Sequence, residues 1–315
     1  MGSECTPVRA PFPWFGGKSR VADEVWRRFG DVPNYIEPFA GSLAVLLARP
    51  HDPGTETVND RDAYLANFWR AVQSDPQEVA LWAGHPVSEL DILARHKWLC
   101  AIQPDFIDRM RNEPEFYNSK VAGWWLYGIC AWIGGGWCRE RERGDKPQLP
   151  HLGDAGMGIN RKLPHLGDAG RGALLWMLQL ADRLRRVRIA CGDWTRVLGE
   201  SVTVKHGVTG VLLDPPYSSE EHSIAYAVRT EDIAGKVRAW AVENGTNPLL
   251  RIALCGYEGE HNMPDGWSVH AWKARGGYGS QGNGTGRENA GRERVWFSPH
   301  CLNPGRIAGP LFEAR

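Results

Sequence analysis

The chain reads as α/β, with strands and helices alternating around a largely parallel sheet. Three observations carry that reading. The apolar run Val211-Leu212-Leu213 stops at Asp214-Pro215-Pro216-Tyr217. The segment 34-NYIEPFAGSLAVLLAR-49 has the pattern of a strand, a tight glycine turn and a helix. Three strand candidates end in an acid, at Asp60, Asp193 and Asp214.

The elements follow in order. In 13-PWFGGKSR-20, Gly17-Lys18-Ser19 resembles the end of a phosphate-binding loop, but that motif needs glycine where Phe12 stands. Tyr35 to Pro38 is short and apolar around Glu37, and Ala40-Gly41-Ser42 makes the turn. Ser42 is the expected N-cap of a helix over Leu43 to Arg49. A second strand, 57-TVND-60, ends nineteen positions after Gly41. That is close to the roughly 20 residues between a phosphate turn and a ribose-binding acid. With one glycine in place of G-x-G-x-x-G, the turn suits a nucleoside better than a pyrophosphate.

Residues 62 to about 120 carry apolar positions at helical spacing, punctuated by Asp75-Pro76 and Gly84-His85-Pro86. The run 121-VAGWWLYGICAWIGGGW-137 is shorter than the roughly 20 residues of a spanning helix. It is expected to be a buried helix stopping at Gly134. Its Trp124, Trp125, Trp132 and Trp137 suit core packing first and base stacking second. Next come the charged 138-CRERERGDKPQ-148 and an octapeptide, L-P-H-L-G-D-A-G, present at 149–156 and again at 163–170. Two copies are too few for a solenoid, so a loop presenting one turn twice is expected. His151, His165, Asp154 and Asp168 lack metal-ligand spacing. An amphipathic helix over 172–187 leads to a strand, 187-VRIACGDW-194, ending at Asp193. Further strands are expected at 208–213, 248–256 and 292–299, the last with a basic lead-in. The glycine-rich 276-GGYGSQGNGTGREN-289 reads as a connector or as a segment ordered by nucleic acid.

Bulk numbers exclude several classes. The chain has 315 residues, and its 37 basic residues balance its 37 acidic ones. Any nucleic-acid contact must therefore come from local patches. Seven Cys without a C-x-x-C pair argue against a disulfide framework and a zinc site. No apolar leader is visible, and a reducing cytoplasm is the expected compartment.

The stretch at 214–217 repays closer reading. Neither proline can extend a ladder, so the chain leaves the sheet at Asp214 as a stiff extended segment. A carboxylate, the Pro215 carbonyl and the Tyr217 ring then share one rigid lip. In open α/β sheets that edge is where ligands bind. The alternative is a strand closed by a proline-rich turn.

Taken together, 13-PWFGGKSR-20, 36-IEPFAGS-42, 58-VNDRD-62, 190-ACGDW-194 and 213-LDPPY-217 resemble, in residues and order, the Dam-like (alpha-group) DNA adenine N6-methyltransferases. Phage-encoded members are the nearer likeness. The resemblance covers roughly residues 10–75 and 185–300. It implies a Rossmann-like, S-adenosylmethionine-dependent methyltransferase fold with a mainly helical inserted target-recognition region. The catalytic domain would be 1–75 and 185–315, and the insertion 76–184.

It also implies roles. Trp14, Phe15, Gly17 and Lys18 would border the S-adenosylmethionine site, Lys18 facing its carboxylate. Glu37, Pro38, Phe39, Gly41 and Ser42 would form the turn along its methionine part. Asp60 would hold the ribose, and Asp193 with Trp194 the adenine. Asp214, Pro215, Pro216 and Tyr217 would be catalytic, gripping a flipped-out adenine. Arg139, Arg141, His151, His165, Arg275, Arg287 and Arg292 would contact DNA. Double-stranded DNA is the expected partner, with a monomeric enzyme and no metal. The middle region matches no GATC-reading hairpin, so neither a target sequence nor a cognate restriction enzyme is readable. Alternatives are methylation of cytosine N4, an RNA base or a glutamine side chain, or a non-catalytic DNA-binding protein.

Overall fold

A computed structural model describes residues 8–12, 14, 16–86, 88–132, 136–139, 171–217, 233–273 and 291–303. Its centre is a seven-stranded sheet. The strands are β1 (Asn34–Glu37), β2 (Thr55–Asp60), β3 (Val187–Cys191), β4 (Thr209–Leu213), β5 (Leu250–Tyr257), β6 (Ser268–Ala271) and β7 (Glu293–Phe297). Their spatial order is β3-β2-β1-β4-β5-β7-β6. The first five run parallel, while β7 lies antiparallel to both β5 and β6. Strand order reverses between β1 and β4, which opens the crevice of a Rossmann-like sheet at their carboxyl ends.

The pleat sorts side chains by period two. Leu212, Ala253, Cys255, Val295 and Phe297 join one core cluster, with α1 (Ala22–Phe29) and α3 (Ala63–Ser74). Ile36, Val211, Leu213, Ile252, Leu254 and Trp296 join the other, under α8 (Ile233–Asn244). Burial on both faces explains why β4 is a continuous apolar run with no alternation.

Residues 76–184 contribute α4 (Pro76–Ala83), α5 (Glu89–Asn112), α6 (Ser119–Ala131) and α7 (Arg171–Leu184). Their Val79, Leu99, Val121, Trp125, Met177 and Leu180 belong to the same core as α3 and β2. Buried polar staples reinforce this. Arg183 forks onto the buried Glu56 of β2 at 2.7 and 2.9 Å. Arg70 of α3 donates to the carbonyls of Met110, Glu113, Phe116 and Ile189. Gly123 is what lets α6 meet α4, since a Cβ there would lie 2.4 Å from that of Trp82.

Three expectations need correction. Ser42 caps nothing: Leu43 takes a left-handed backbone (φ 54), so the short α2 (Ala44–Leu47) begins one turn position later. Its free Leu46 N–H is met instead by Glu37 from β1, at 2.9 Å. The tryptophan-rich helix ends at Ala131 rather than Gly134, because Trp132 adopts an extended backbone (ψ 139). The lead-in to the last strand is not simply basic, because Glu293 is buried at its start. The repeated octapeptide lies outside the described residues. No described helix is long and apolar enough to cross a membrane.

Candidate active site

Four strand ends meet Trp14 and Lys18 at the crevice. The glycine turn after β1 is tied to its neighbours by backbone bonds. The Ala40 N–H donates to the Asn59 carbonyl (2.9 Å) and the Gly41 N–H to Asp60 Oδ2 (3.1 Å). Asn59 Nδ2 donates to the carbonyls of Pro38 and Gly192, lashing together the ends of β1, β2 and β3. The indole of Trp69 donates to the Gly41 carbonyl at 3.0 Å. Gly41 itself has φ +48, and a Cβ on it would sit 2.7 Å from Trp14 Nε1. Only glycine fits there. A Cβ on Gly17 would lie 3.9 Å from Ser42 Oγ, so Gly17 lies along the turn.

Beside this turn stand three acids and a pair of rings. Asp60 takes its second bond from the Asp62 N–H (2.9 Å). Burial and then the Asp62 charge push its pKa up to about 7. Phe39 and Trp194 stack at 6.1 Å. Asp193 is exposed and accepts from the Thr195 N–H and hydroxyl. Burial works to raise its pKa, and the Thr195 bonds outweigh that and lower it. Glu37 is buried and accepts from Tyr35 Oη at 2.6 Å as well as from Leu46. Burial holds its pKa at about 8.

On the other side of the crevice, the lip Asp214–Tyr217 projects from β4. Pro215 is buried, while Asp214, Pro216 and Tyr217 are half-buried. Lys18 Nζ contacts Asp214 Oδ2 at 2.8 Å and the Gly16 carbonyl at 2.8 Å. The ammonium therefore lies on the acceptor lip. Burial lowers the Lys18 pKa, but Asp214 first, then Cys255 and Glu293, reverse this and raise it, so the charge persists. The Tyr217 hydroxyl lies 2.9 Å from Glu293 Oε2 and 3.3 Å from Asp214 Oδ1. Tyr257 packs edge-on against the Tyr217 ring, with centroids 4.6 Å apart.

Sequence reasoning missed Glu293, Tyr257 and Trp272, whose ring lies 5.9 Å from the Lys18 ammonium. One weak signal was present: the acid Glu293 standing at the start of a strand that continues into Val295-Trp296-Phe297. Of the expected DNA contacts, Arg292 is exposed with its guanidinium 5.5 Å from the Tyr257 ring, beside the lip. Arg139 is half-buried, and its charge acts on Asp62 below β2. Phe15, Arg141, His151, His165, Arg275 and Arg287 lie outside the described residues. Among the described residues no group of His, Cys, Asp and Glu could hold a metal ion.

Comparison with known protein families points the same way. The sequence model of the D12 class N6 adenine-specific DNA methyltransferases matches residues 14–115. Over those residues the chain is similar to that family. The match spans the Trp14–Lys18 segment, the glycine turn and Asp60. Asp193 and the Asp214–Tyr217 lip follow it in the chain, at the ends of β3 and β4 on the same sheet edge. The seven-stranded sheet is thus a Rossmann-like methyltransferase fold, and DNA adenine methylation is the chemistry of the family. No curated protein matches the chain.

Proposed function

We propose that this methyltransferase transfers a methyl group from S-adenosylmethionine to N6 of an adenine flipped out of double-stranded DNA. The observation that carries the reading is the convergence of two half-sites on one sheet edge. One is a glycine turn with a sugar-binding acid and a ring pair. The other is a rigid carboxylate–carbonyl lip.

The first half-site fits S-adenosylmethionine. Gly41 leaves no room for a side chain beside Trp14, so ligand and backbone can approach closely. Asp60 stands at the end of β2 to accept ribose hydroxyls. Phe39, Trp194 and Asp193 would hold an adenine, the rings against its face and the acid at its amine. A single-glycine turn suits a ligand without a pyrophosphate. When bound, S-adenosylmethionine supplies an electrophilic methyl group on a sulfonium.

The chain's own groups then prepare the acceptor. An exocyclic adenine amine is a poor nucleophile, because its lone pair is conjugated with the ring. Asp214 and the Pro215 carbonyl each accept one of its N–H bonds, which fixes its direction and favours the positive charge that grows on nitrogen. Holding the two reactants in line provides most of what remains. Tyr217 stacks on the flipped base, because the amine cannot be reached inside a duplex. Lys18, 2.8 Å from Asp214 Oδ2, pairs with the half-buried carboxylate and fixes its orientation.

The test is methyl transfer by purified protein to duplex DNA, with single-stranded DNA and RNA in parallel, read as N6-methyladenine by mass spectrometry. Asp214→Ala is expected to abolish transfer and to leave S-adenosylmethionine affinity within about threefold. Undiminished transfer by that variant refutes the lip chemistry. Methylation confined to RNA or to cytosine refutes the proposed acceptor.

A further inference from the structure

The lip contains a conflict that Glu293 resolves. Asp214 must present lone pairs to the substrate amine. Yet the Tyr217 hydroxyl lies 3.3 Å from Asp214 Oδ1, and Lys18 already occupies Oδ2. A tyrosine hydroxyl has one proton to donate. If it went to Asp214, both carboxylate oxygens would be engaged by the protein. A second carboxylate stands closer: Glu293 Oε2 is 2.9 Å from the same hydroxyl.

Glu293 reaches that point because of the topology. It opens β7, opposite Tyr257 of β5, and points to the face that carries Val295 and Phe297. The residue is 4% exposed. Burying a carboxylate is costly unless it is bonded, and nothing in the sheet itself asks for an acid there. The other groups near it are the Lys18 ammonium, which favours its charged form, and the Asp214 and Glu260 carboxylates, which oppose it.

We infer that Glu293 is a positioning residue for methyl transfer: it takes the Tyr217 proton and so leaves Asp214 Oδ1 free to accept from the substrate amine. The inference rests on the reading of Asp214–Tyr217 as the acceptor lip. It assigns two tasks to one bond, since the same contact also fixes the tyrosine ring against Tyr257.

A second-site rescue separates this role from a structural one. In Glu293→Leu the tyrosine proton can turn to Asp214 Oδ1, 3.3 Å away, and the single-turnover rate is expected to fall tenfold or more with cofactor affinity within threefold. Adding Tyr217→Phe removes the competing proton. The double variant is expected to return to within threefold of the rate set by Tyr217→Phe alone. A double variant as slow as Glu293→Leu overturns the inference. Should Glu293→Leu fail to bind cofactor, Glu293→Gln decides the matter. Its amide oxygen still accepts, so it is expected to keep at least a third of the wild-type rate, and a tenfold loss overturns the inference. Asp214→Ala, assayed alongside, distinguishes the two readings. Retained transfer there refutes the lip and the inference together. An inactive Asp214→Ala beside an unrescued Glu293→Leu refutes the inference alone.

Discussion

The Lys18–Asp214 pair lends itself to a quantitative test. Its partners are 2.8 Å apart, with side chains 5% and 24% exposed. Removing one member of a buried pair costs about 3–5 kcal/mol, whereas exposed pairs contribute about 0–1 kcal/mol. The pair lies between these limits, nearer the first. In Asp214→Asn the ammonium loses its counter-charge but keeps the Gly16 carbonyl and the nearby Glu293. A loss of about 2–3 kcal/mol is expected for that variant from the buried-pair range, reduced for the wet side of Asp214. Lys18→Met, which keeps the length of the side chain, should lose a similar amount. The double variant should lose much less than their sum, giving a coupling of about 2 kcal/mol. Urea unfolding of the four proteins measures this. A partly buried pair is weakly screened, so raising the salt should change the coupling little. A coupling below about 0.5 kcal/mol, or one abolished by salt, would mean that the pair behaves as a surface contact. The account of Lys18 as the charge that pairs with Asp214 and orients it would then be refuted.

Two more expectations concern the cofactor half-site. Asp60 titrates near 7 in the folded chain against an ordinary 3.8, so between these values the folded state holds a proton that the unfolded state has released. Its contribution to stability is therefore present at low pH and lost as pH rises through about 7. Ribose hydroxyls donate to the ionised acid, so S-adenosylmethionine affinity should rise between pH 6 and 8. Calorimetry on Asp60→Asn should show a weaker and flatter profile, and an unchanged profile would remove Asp60 from the site. Gly41→Ala forces a side chain into a left-handed backbone and against Trp14, 2.7 Å away. It should cost about 1–2 kcal/mol in stability and tenfold or more in cofactor affinity; unaltered affinity would mean that the turn does not touch the cofactor.

Much of this architecture is legible in the sequence, for a physical reason. Strands buried on both faces leave continuous apolar runs, and β4 and β5 appear where those runs stand, while β1 and β2 are marked by the glycine turn and the terminal acids. The acids that end them survive as signals because nothing but a ligand or a cap calls for charge at a strand end. Elements built on weaker contrasts stay hidden. The helix Ala22–Phe29 carries as many charged as apolar residues, and Ser268–Ala271 is a short edge strand with one face in water. The Ser42 cap failed because the Glu37 carboxylate reaches the helix from a neighbouring strand, a contact no local pattern encodes. The same holds for the lip. Asp214 announces itself beside two prolines, but Lys18 joins it from the segment before the first helix and Glu293 from β7, both through tertiary folding that no local pattern encodes.

The central claim is that the lip and the glycine turn together methylate adenine in DNA. The most direct test is expression in a host devoid of adenine methylation, followed by modification-sensitive sequencing of its genome, with Asp214→Ala as the matched control. The account predicts N6-methyladenine at one recurrent motif with the intact chain and none with the variant. Unmodified adenines, in cells whose purified protein binds S-adenosylmethionine, would contradict it.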